Sequence, residues 1–411
     1  MKESDWIPSS LPIGWILTKN KSLISVKNGF PCPSEGFNTD KRGIPVIRIR
    51  DITAGSTNTW FEGAYPEELM IKNGDLLVGM DGDFNIRLWD AGDALLNQRC
   101  CKIECHDEYV KKYLFYILPF QLKAINALKN STTVKHLNNE DILNATLPIP
   151  KNRATLIQVV DNLTNVCTKI EQQILCLRQI VEKTNEYRQS LITHAVTKGL
   201  DSDIGMKDSE LPWLGYIPEH WSCMRLAHCF SSVNRPADLD LPVLSVSIHT
   251  GISDTELNDE DRERKVWLSE DRSKYQGINT GDLVYNMMRA WQGAFGTCTR
   301  TGLVSPAYTV LVPKKGILSK YYELLFRTPN AKHLIYGYSQ GIADFRKRLY
   351  WEKARDIYVP VPPFEEQIQI ADECDFIDKR IDDLKKEISK QIDLLNEYKS
   401  ALISSAFMGG N

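Results

Sequence analysis

Residues 185–199 read NEYRQSLITHAVTKG, and residues 396–410 read NEYKSALISSAFMGG. The two stretches lie 211 positions apart and share Asn-Glu-Tyr, a basic residue, Leu-Ile, Ala and a closing Gly. Other paired landmarks run in the same order. Pro12-x-x-Trp15 matches Pro218-x-x-Trp221, Asn73-Gly-Asp-Leu-Leu77 matches Thr280-Gly-Asp-Leu-Val284, and Leu147-Pro-Ile-Pro150 matches Val359-Pro-Val-Pro362. A period of about 210 residues is far longer than a solenoid repeat. The chain reads as one unit written twice: a globular module, then a long helix.

The helices follow from spacing. After Pro150 the chain reaches Thr197 without Pro or Gly. Apolar or small residues recur in steps of four and three: Leu156, Val160, Leu163, Cys167, Ile170, Ile174, Leu177 and Val181, then Thr184, Leu191 and Ala195. That is a heptad seam. The second seam is Ile370, Cys374, Ile377, Ile381, Leu384, Ile388, Ile392, Leu395, Leu402 and Ala406. Pro362-Pro363 precedes it, Gly409-Gly410 ends it, and Gly199 ends the first, as glycines at helix C-termini do. Each helix would be roughly 65 Å long at 1.5 Å per residue. An apolar seam of that length needs a partner. Antiparallel pairing of the two helices within one chain, with a pseudo-twofold axis and a module at either end, is the simplest solution. Parallel pairing between two chains is the alternative.

The modules read as α+β with strongly curved sheets. Pro45-Val-Ile-Arg-Ile-Arg50 and Pro242-Val-Leu-Ser-Val-Ser-Ile248 alternate as strands do. Asp75-Leu-Leu-Val78, Asp282-Leu-Val-Tyr285 and Thr309-Val-Leu-Val312 are further strands, and helices are expected over 109–128 and 319–335. The resulting division is 1–150 for a first module, 151–198 for a central helix, 199–362 for a linker and second module, and 363–411 for a C-terminal helix.

Composition narrows the class. No run of 18 apolar residues occurs, so no transmembrane helix is expected. The polar start, with Asp5 and Pro8, does not read as a signal or transit peptide. A cytoplasmic protein is expected. Cys100, Cys101 and Cys105 with His106 lack the second ligand pair of a zinc site, so the ten cysteines read as reduced and structural. A net charge of −3 and a pI near 6.2 argue mildly against a free-standing nucleic-acid binder.

Taken together, the landmarks resemble the specificity subunit of type I restriction–modification systems over the whole chain. The residues that carry the resemblance are the Pro-x-x-Trp openings, the Gly-Asp-Leu turns, Pro360-Val-Pro-Pro363 with Glu366-Gln367 at a helix head, and the Gly-x4-Arg-x-Arg-Leu run at 341–349. The first copy departs at its helix head, where Asn152-Arg-Ala-Thr-Leu-Ile-Gln158 stands instead of Glu365-Glu-Gln367. The resemblance implies two target-recognition domains, each reading half of a split, asymmetric site in double-stranded DNA. It implies that the paired helices set the spacer and dock two methyltransferase subunits, with restriction–translocase subunits added. It implies no catalysis and no cofactor in this chain, the partners using S-adenosylmethionine, ATP and Mg. Half-sites read from one face of B-DNA lie on the order of 34 Å apart, which a rod with a module at each end can span. The methyltransferases can supply much of the phosphate-binding charge, which makes the acidic balance tolerable.

Arg and Lys read guanine and Asn and Gln read adenine in the major groove. In the first module the candidates are Arg87, Asn97, Gln98, Arg99, Lys135 and His136. In the second they are Arg289, Trp291, Gln292, Ser305, Arg346 and Arg348. Each has a plain structural reading beside it: Trp291 as a core or ledge residue, Arg348 as a brace, Asn97 as a turn cap. Trp15 and Trp221 read as structural. The charged helix face at Lys379-Arg380, Asp382-Asp383 and Lys385-Lys386 is a solvated face, part of which would meet the methyltransferases.

An adenine methyltransferase needs an Asn/Asp-Pro-Pro-aromatic motif. Val361-Pro-Pro-Phe364 lacks that acceptor. No Gly-x4-Gly-Lys-Ser/Thr phosphate loop and no convincing nuclease core is present. The rival to the DNA reading is a coiled-coil adapter whose modules bind proteins.

Overall fold

The computed structural model describes residues 10–128, 136–236, 238, 240–248, 251–253, 274–341 and 347–408. Lys135, Arg346 and the Gly409-Gly410 terminator lie outside the described residues. The chain divides into two compact units: Met1–Leu177 with Lys390–Asn411, and Arg178–Ser389.

In the first unit an opening strand, Trp15–Lys19, pairs antiparallel with a closing strand, Thr146–Pro150, from Trp15 opposite Pro150 to Lys19 opposite Thr146. The module's two ends therefore leave side by side. Pro148 and Pro150 are tolerated because this ladder has only two strands. An antiparallel four-stranded sheet follows in the order Ser25–Asn28, Cys100–Glu104, Leu76–Gly79, Ile86–Leu88. A second sheet runs Phe37–Asn38, Trp60–Phe61, Ile44–Ile47, Ala94–Leu96, Met70–Ile71. The helix Glu108–Leu128 packs Tyr113, Leu114 and Ile117 into one core with Leu76, Val78, Cys101 and Ile103. Tyr113 Oη donates to the Pro148 carbonyl at 2.5 Å, tying that helix to the closing strand.

The second unit repeats this framework. Its opening strand Ser222–Arg225 pairs antiparallel with Tyr358–Val361. Its four-stranded sheet runs Phe230–Val233, Tyr308–Pro313, Leu283–Asn286, Phe295–Thr297, all antiparallel. Tyr322 Oη donates to the Pro360 carbonyl at 3.2 Å, the counterpart of the Tyr113 bond. Both Gly-Asp turns have the same mechanics. Gly74 and Gly281 stand at φ of 89° and 88°, where a side chain would be strained. Asp75 and Asp282 accept from the backbone N–H three residues earlier, at 2.8 Å in each case. Around this shared frame the accessory strands differ. Among the described residues the second unit has three short pairs, Met206–Asp208 with Tyr216–Pro218, Ser245–Ser247 with Gly251–Ser253, and Gln276–Ile278 with Gly302–Val304.

The long helices span Arg153–Lys198 and Phe364–Met408. In the first unit Leu156, Val160, Leu163 and Cys167 share a core with Ile403 and Phe407, and Glu171 pairs with Lys399. In the second unit Ala195 and Val196 share a core with Ile370, Ala371 and Cys374, and Arg188 reaches Asp378 at 2.7 Å and Asp382 at 3.3 Å. In both units rising numbers on one helix meet falling numbers on the other. The helices therefore pair antiparallel within one chain, and each unit combines a module with the start of one helix and the end of the other.

Three expectations need correction. The strand expected through Arg50 ends at Ile47, and a helix runs Ile49–Ala54. Asp51 starts it by accepting from the Arg48 N–H at 2.9 Å, a cap that outweighs the alternating pattern. The helix expected over 319–335 is two helices, Ser319–Phe326 and Pro329–Tyr338. Thr328 caps the second one, and Pro329 sits in its first turn, where its missing N–H costs nothing. On the C-terminal seam Leu384 is 47% exposed, and at its end Ile403 and Phe407 are buried rather than Leu402 and Ala406. A 3.6-residue helix drifts about 20° per heptad from a strict 3.5 repeat, so fixed steps rotate off the buried face.

Candidate nucleic-acid interface

In the first unit the loop after strand Leu76–Gly79 is the junction. The Met80 N–H donates to the Arg99 carbonyl at 3.0 Å, and the Leu137 N–H donates to the Met80 carbonyl at 2.8 Å. One residue thus clamps the turn at 97–99 and the stretch at 136–137. Asn97 Oδ1 accepts from the Arg99 N–H at 3.3 Å, so Asn97 caps its own turn. Arg99 and His136 are exposed, with side chains at 66% and 55%, while Asp81 beneath them is at 16%. Asp81 gives one oxygen to each, Oδ2 to Arg99 Nη1 and Oδ1 to His136 Nδ1, both at 2.7 Å. Burial pulls the Asp81 carboxyl upward, but the hydrogen bonds from His136 and Arg99 and their charges outweigh it, holding it below the usual range. Gln98 is exposed, and its N–H donates to the Phe30 carbonyl at 3.0 Å. Arg87 stands apart. Its guanidinium pairs with Asp90 at 3.1 Å and lies over Gly55, where φ is 74° and any Cβ would strike it.

The second unit builds the same junction from different residues. The Met287 N–H donates to the Ala307 carbonyl at 3.0 Å, and the Leu349 N–H donates to the Met287 carbonyl at 2.9 Å. Ser305 Oγ accepts from the Ala307 N–H at 3.3 Å, as Asn97 does in the first unit. Gln340 and Arg348 exchange backbone bonds at 2.9 Å, which sets Arg348 on the exposed side of that stretch. Arg289, also exposed, follows Met287 by two residues. The framework thus equates Asp81 with Met288, Arg99 with Ala307, and His136 with Arg348. Trp291 packs its edge on Tyr336 at 5.6 Å and donates its indole N–H to the Met288 carbonyl at 3.1 Å. This is the ledge geometry, with Gln292 half-buried beside it. Lys347 Nζ sits 3.5 Å from the Tyr336 ring centroid, a cation–π contact.

Each junction presents donors on a rigid backbone frame. The thiols nearest the first one, Cys100 and Cys101, are pushed up to about 12 by burial and are poor nucleophiles near neutral pH. Among the described residues no cluster of three His, Cys, Asp or Glu is arranged to hold a metal.

A family model described as the type I restriction modification DNA specificity domain matches residues 12–176. The EcoBI type I specificity subunit of Escherichia coli is 30% identical over 429 residues, covering 97% of this chain and 87% of that protein. This chain belongs to the type I restriction–modification specificity subunits. The EcoDI specificity subunit, also of Escherichia coli, is 20% identical over 97% of this chain and 89% of its own length. Two solved structures share the fold. One comes from work on complex assembly and conformational transition of the type I R-M system, with a TM-score of 0.63 at 14% identity, covering 98% of this chain and 100% of that one. The other is the HsdS subunit from Thermoanaerobacter tengcongensis, with a TM-score of 0.51 at 16% identity, covering 98% and 99%.

The two junctions share one backbone frame and carry unlike side chains. The structure gathers Asn97, Gln98, Arg99 and His136 at the first. At the second it gathers Arg289, Ser305 and Arg348, with Trp291 and Gln292 on the adjoining turn. Asp81 and Met288 stand at the equivalent loop positions of the two junctions and carry no signal of their own in the linear sequence. The paired Gly-Asp-Leu landmarks set the loops after Leu76–Gly79 and Leu283–Asn286 in register and so equate the two positions.

Proposed function

We propose that each unit's junction reads one half of a split, asymmetric DNA sequence, the first through Asn97, Gln98, Arg99 and His136 and the second through Arg289, Ser305 and Arg348. Arg87, Lys135, Trp291, Gln292 and Arg346 belong to the wider contact surface on this reading. The observation that carries it is the duplicated backbone clamp at Met80 and Met287, which holds unlike side chains at equivalent positions. A frame repeated for geometry with unlike donors is what an asymmetric target requires. Residues 1–150 and 199–362 are then the two target-recognition regions. The helices Arg153–Lys198 and Phe364–Met408 set the spacer and dock two methyltransferase subunits, to which restriction–translocase subunits add. Exposed apolar side chains on the helices, Leu175 and Tyr398 in the first unit and Tyr187 and Phe376 in the second, supply surface for such docking. The chain itself is non-catalytic and cytoplasmic. S-adenosylmethionine, ATP and Mg act in the partner subunits.

The test is to sequence methylated adenines in the source genome with and without this gene. A two-part motif that disappears on deletion is the expected result. A deletion that leaves every methylation motif intact refutes the proposal.

A further inference from the structure

The geometry points to Asp81 as a specificity-determining residue of the first unit, acting by positioning Arg99 and His136 rather than by touching DNA itself. The inference rests on the DNA reading of the junction proposed above. Arg99 follows its turn cap, and His136 lies 37 residues further along the chain. The chain between them is too long to set one side chain against the other by local turn geometry. Asp81 does so, with one oxygen on each at 2.7 Å. The loop that carries it is itself fixed, because Met80 clamps both neighbouring stretches and Asp81 bridges His136 through the backbone.

The chemistry follows from charge and exposure. An arginine with five N–H donors and a 66% exposed side chain samples many rotamers unless something holds it. A carboxylate on one guanidinium nitrogen restricts the fork and leaves its other donors to meet guanine O6 and N7 as a pair. Asp81 itself is recessed and negative, so direct approach to a phosphate is unfavourable. The second unit confirms that the frame does not require an acid there. The equivalent position is Met288, the Arg99 position is Ala307, and the backbone clamp is unchanged. Asp81 is therefore present for its side-chain partners and not for the loop.

The experiment uses the full chain reconstituted with its methyltransferase subunits. First, the wild-type complex is mapped on DNA, and both half-sites are defined by footprint and methylation. Methylation rates are then measured on duplexes with each base pair of either half-site substituted, for wild type, Asp81→Asn, Asp81→Glu and Arg99→Ala. Asp81→Asn should reduce discrimination on the order of tenfold, the scale of one charge-assisted hydrogen bond. The loss should fall on the base pair whose preference Arg99→Ala abolishes, with the other half-site unchanged. Asp81→Glu should recover part of it. The salt dependence of binding should keep its slope, because no phosphate contact is removed. Unchanged base preferences in Asp81→Asn, or a uniform loss over both half-sites, overturns the positioning role. A wild-type complex without a two-part footprint instead overturns the DNA reading, so the two failures are distinct.

Discussion

Replacing Gln367 by Leu tests how the second module is fastened to its helix. Gln367 is the fourth residue of Phe364–Met408 and is fully buried. Its Oε1 accepts from the Leu318 N–H at 2.8 Å, and its Nε2 donates to the Pro362 carbonyl at 2.9 Å and the Gly316 carbonyl at 3.1 Å. One side chain thus ties the closing strand, the turn at Gly316 and the start of helix Ser319–Phe326 to the long helix. The fourth residue of Arg153–Lys198 is Leu156, also buried but in apolar surroundings. Gln367→Leu therefore imposes the first copy's solution on the second copy's polar pocket. Three hydrogen bonds at about 1 kcal/mol each are lost, with a further penalty where a backbone group stays dry and unpaired. Burial of the added apolar surface offsets about 1 kcal/mol. The net destabilisation should be about 2–4 kcal/mol, confined to the second unit. Amide hydrogen exchange by mass spectrometry reads it directly. Peptides covering 316–326 and 358–362 should lose protection, while those of the first unit's sheet keep theirs. Wild-type exchange at Leu318 together with an unchanged unfolding midpoint would refute the reasoning.

Phe407→Ala should act on the other unit. Phe407 is 1% exposed and meets Phe120 edge-on at 5.2 Å. Its truncation should cost about 3–5 kcal/mol, read as faster exchange in Glu108–Leu128 with the second unit unaffected. Arg99→Ala and Arg348→Ala should each cost about 1–3 kcal/mol of discrimination at one base pair, in different half-sites, as measured by methylation of substituted duplexes. Loss at the same half-site would contradict the separate roles. Asp81 adds a pH signature. A carboxyl held below its unfolded value contributes stability above the ordinary carboxylate range, near pH 4, and loses it as pH falls through the lowered folded pKa. The melting difference between wild type and Asp81→Asn should therefore shrink on acidification. A difference that grows on acidification would reverse the assigned sign.

The sequence by itself determined the duplication, the two long helices and the shared frame, because each leaves a local or periodic trace. Seam residues recur every three or four positions. The Gly-Asp turns need a left-handed glycine, and the Pro-rich closing strands announce the helices that follow. Local chemistry misled where two local signals competed. At 45–50 the alternating pattern suggested a strand, and the Asp51 cap decided for a helix. At Leu384 and Phe407 a fixed heptad register missed the slow rotation of a real helix and the cover supplied by a module. Only the tertiary structure decided which candidate residues share a site. Met80 reaches Arg99 and Leu137, and Asp81 reaches Arg99 and His136, across 18 and 55 residues of chain. Such contacts depend on sheet order, with Cys100–Glu104 set beside Leu76–Gly79. Sheet order is a property of long-range packing and leaves no periodic mark on the residues it brings together.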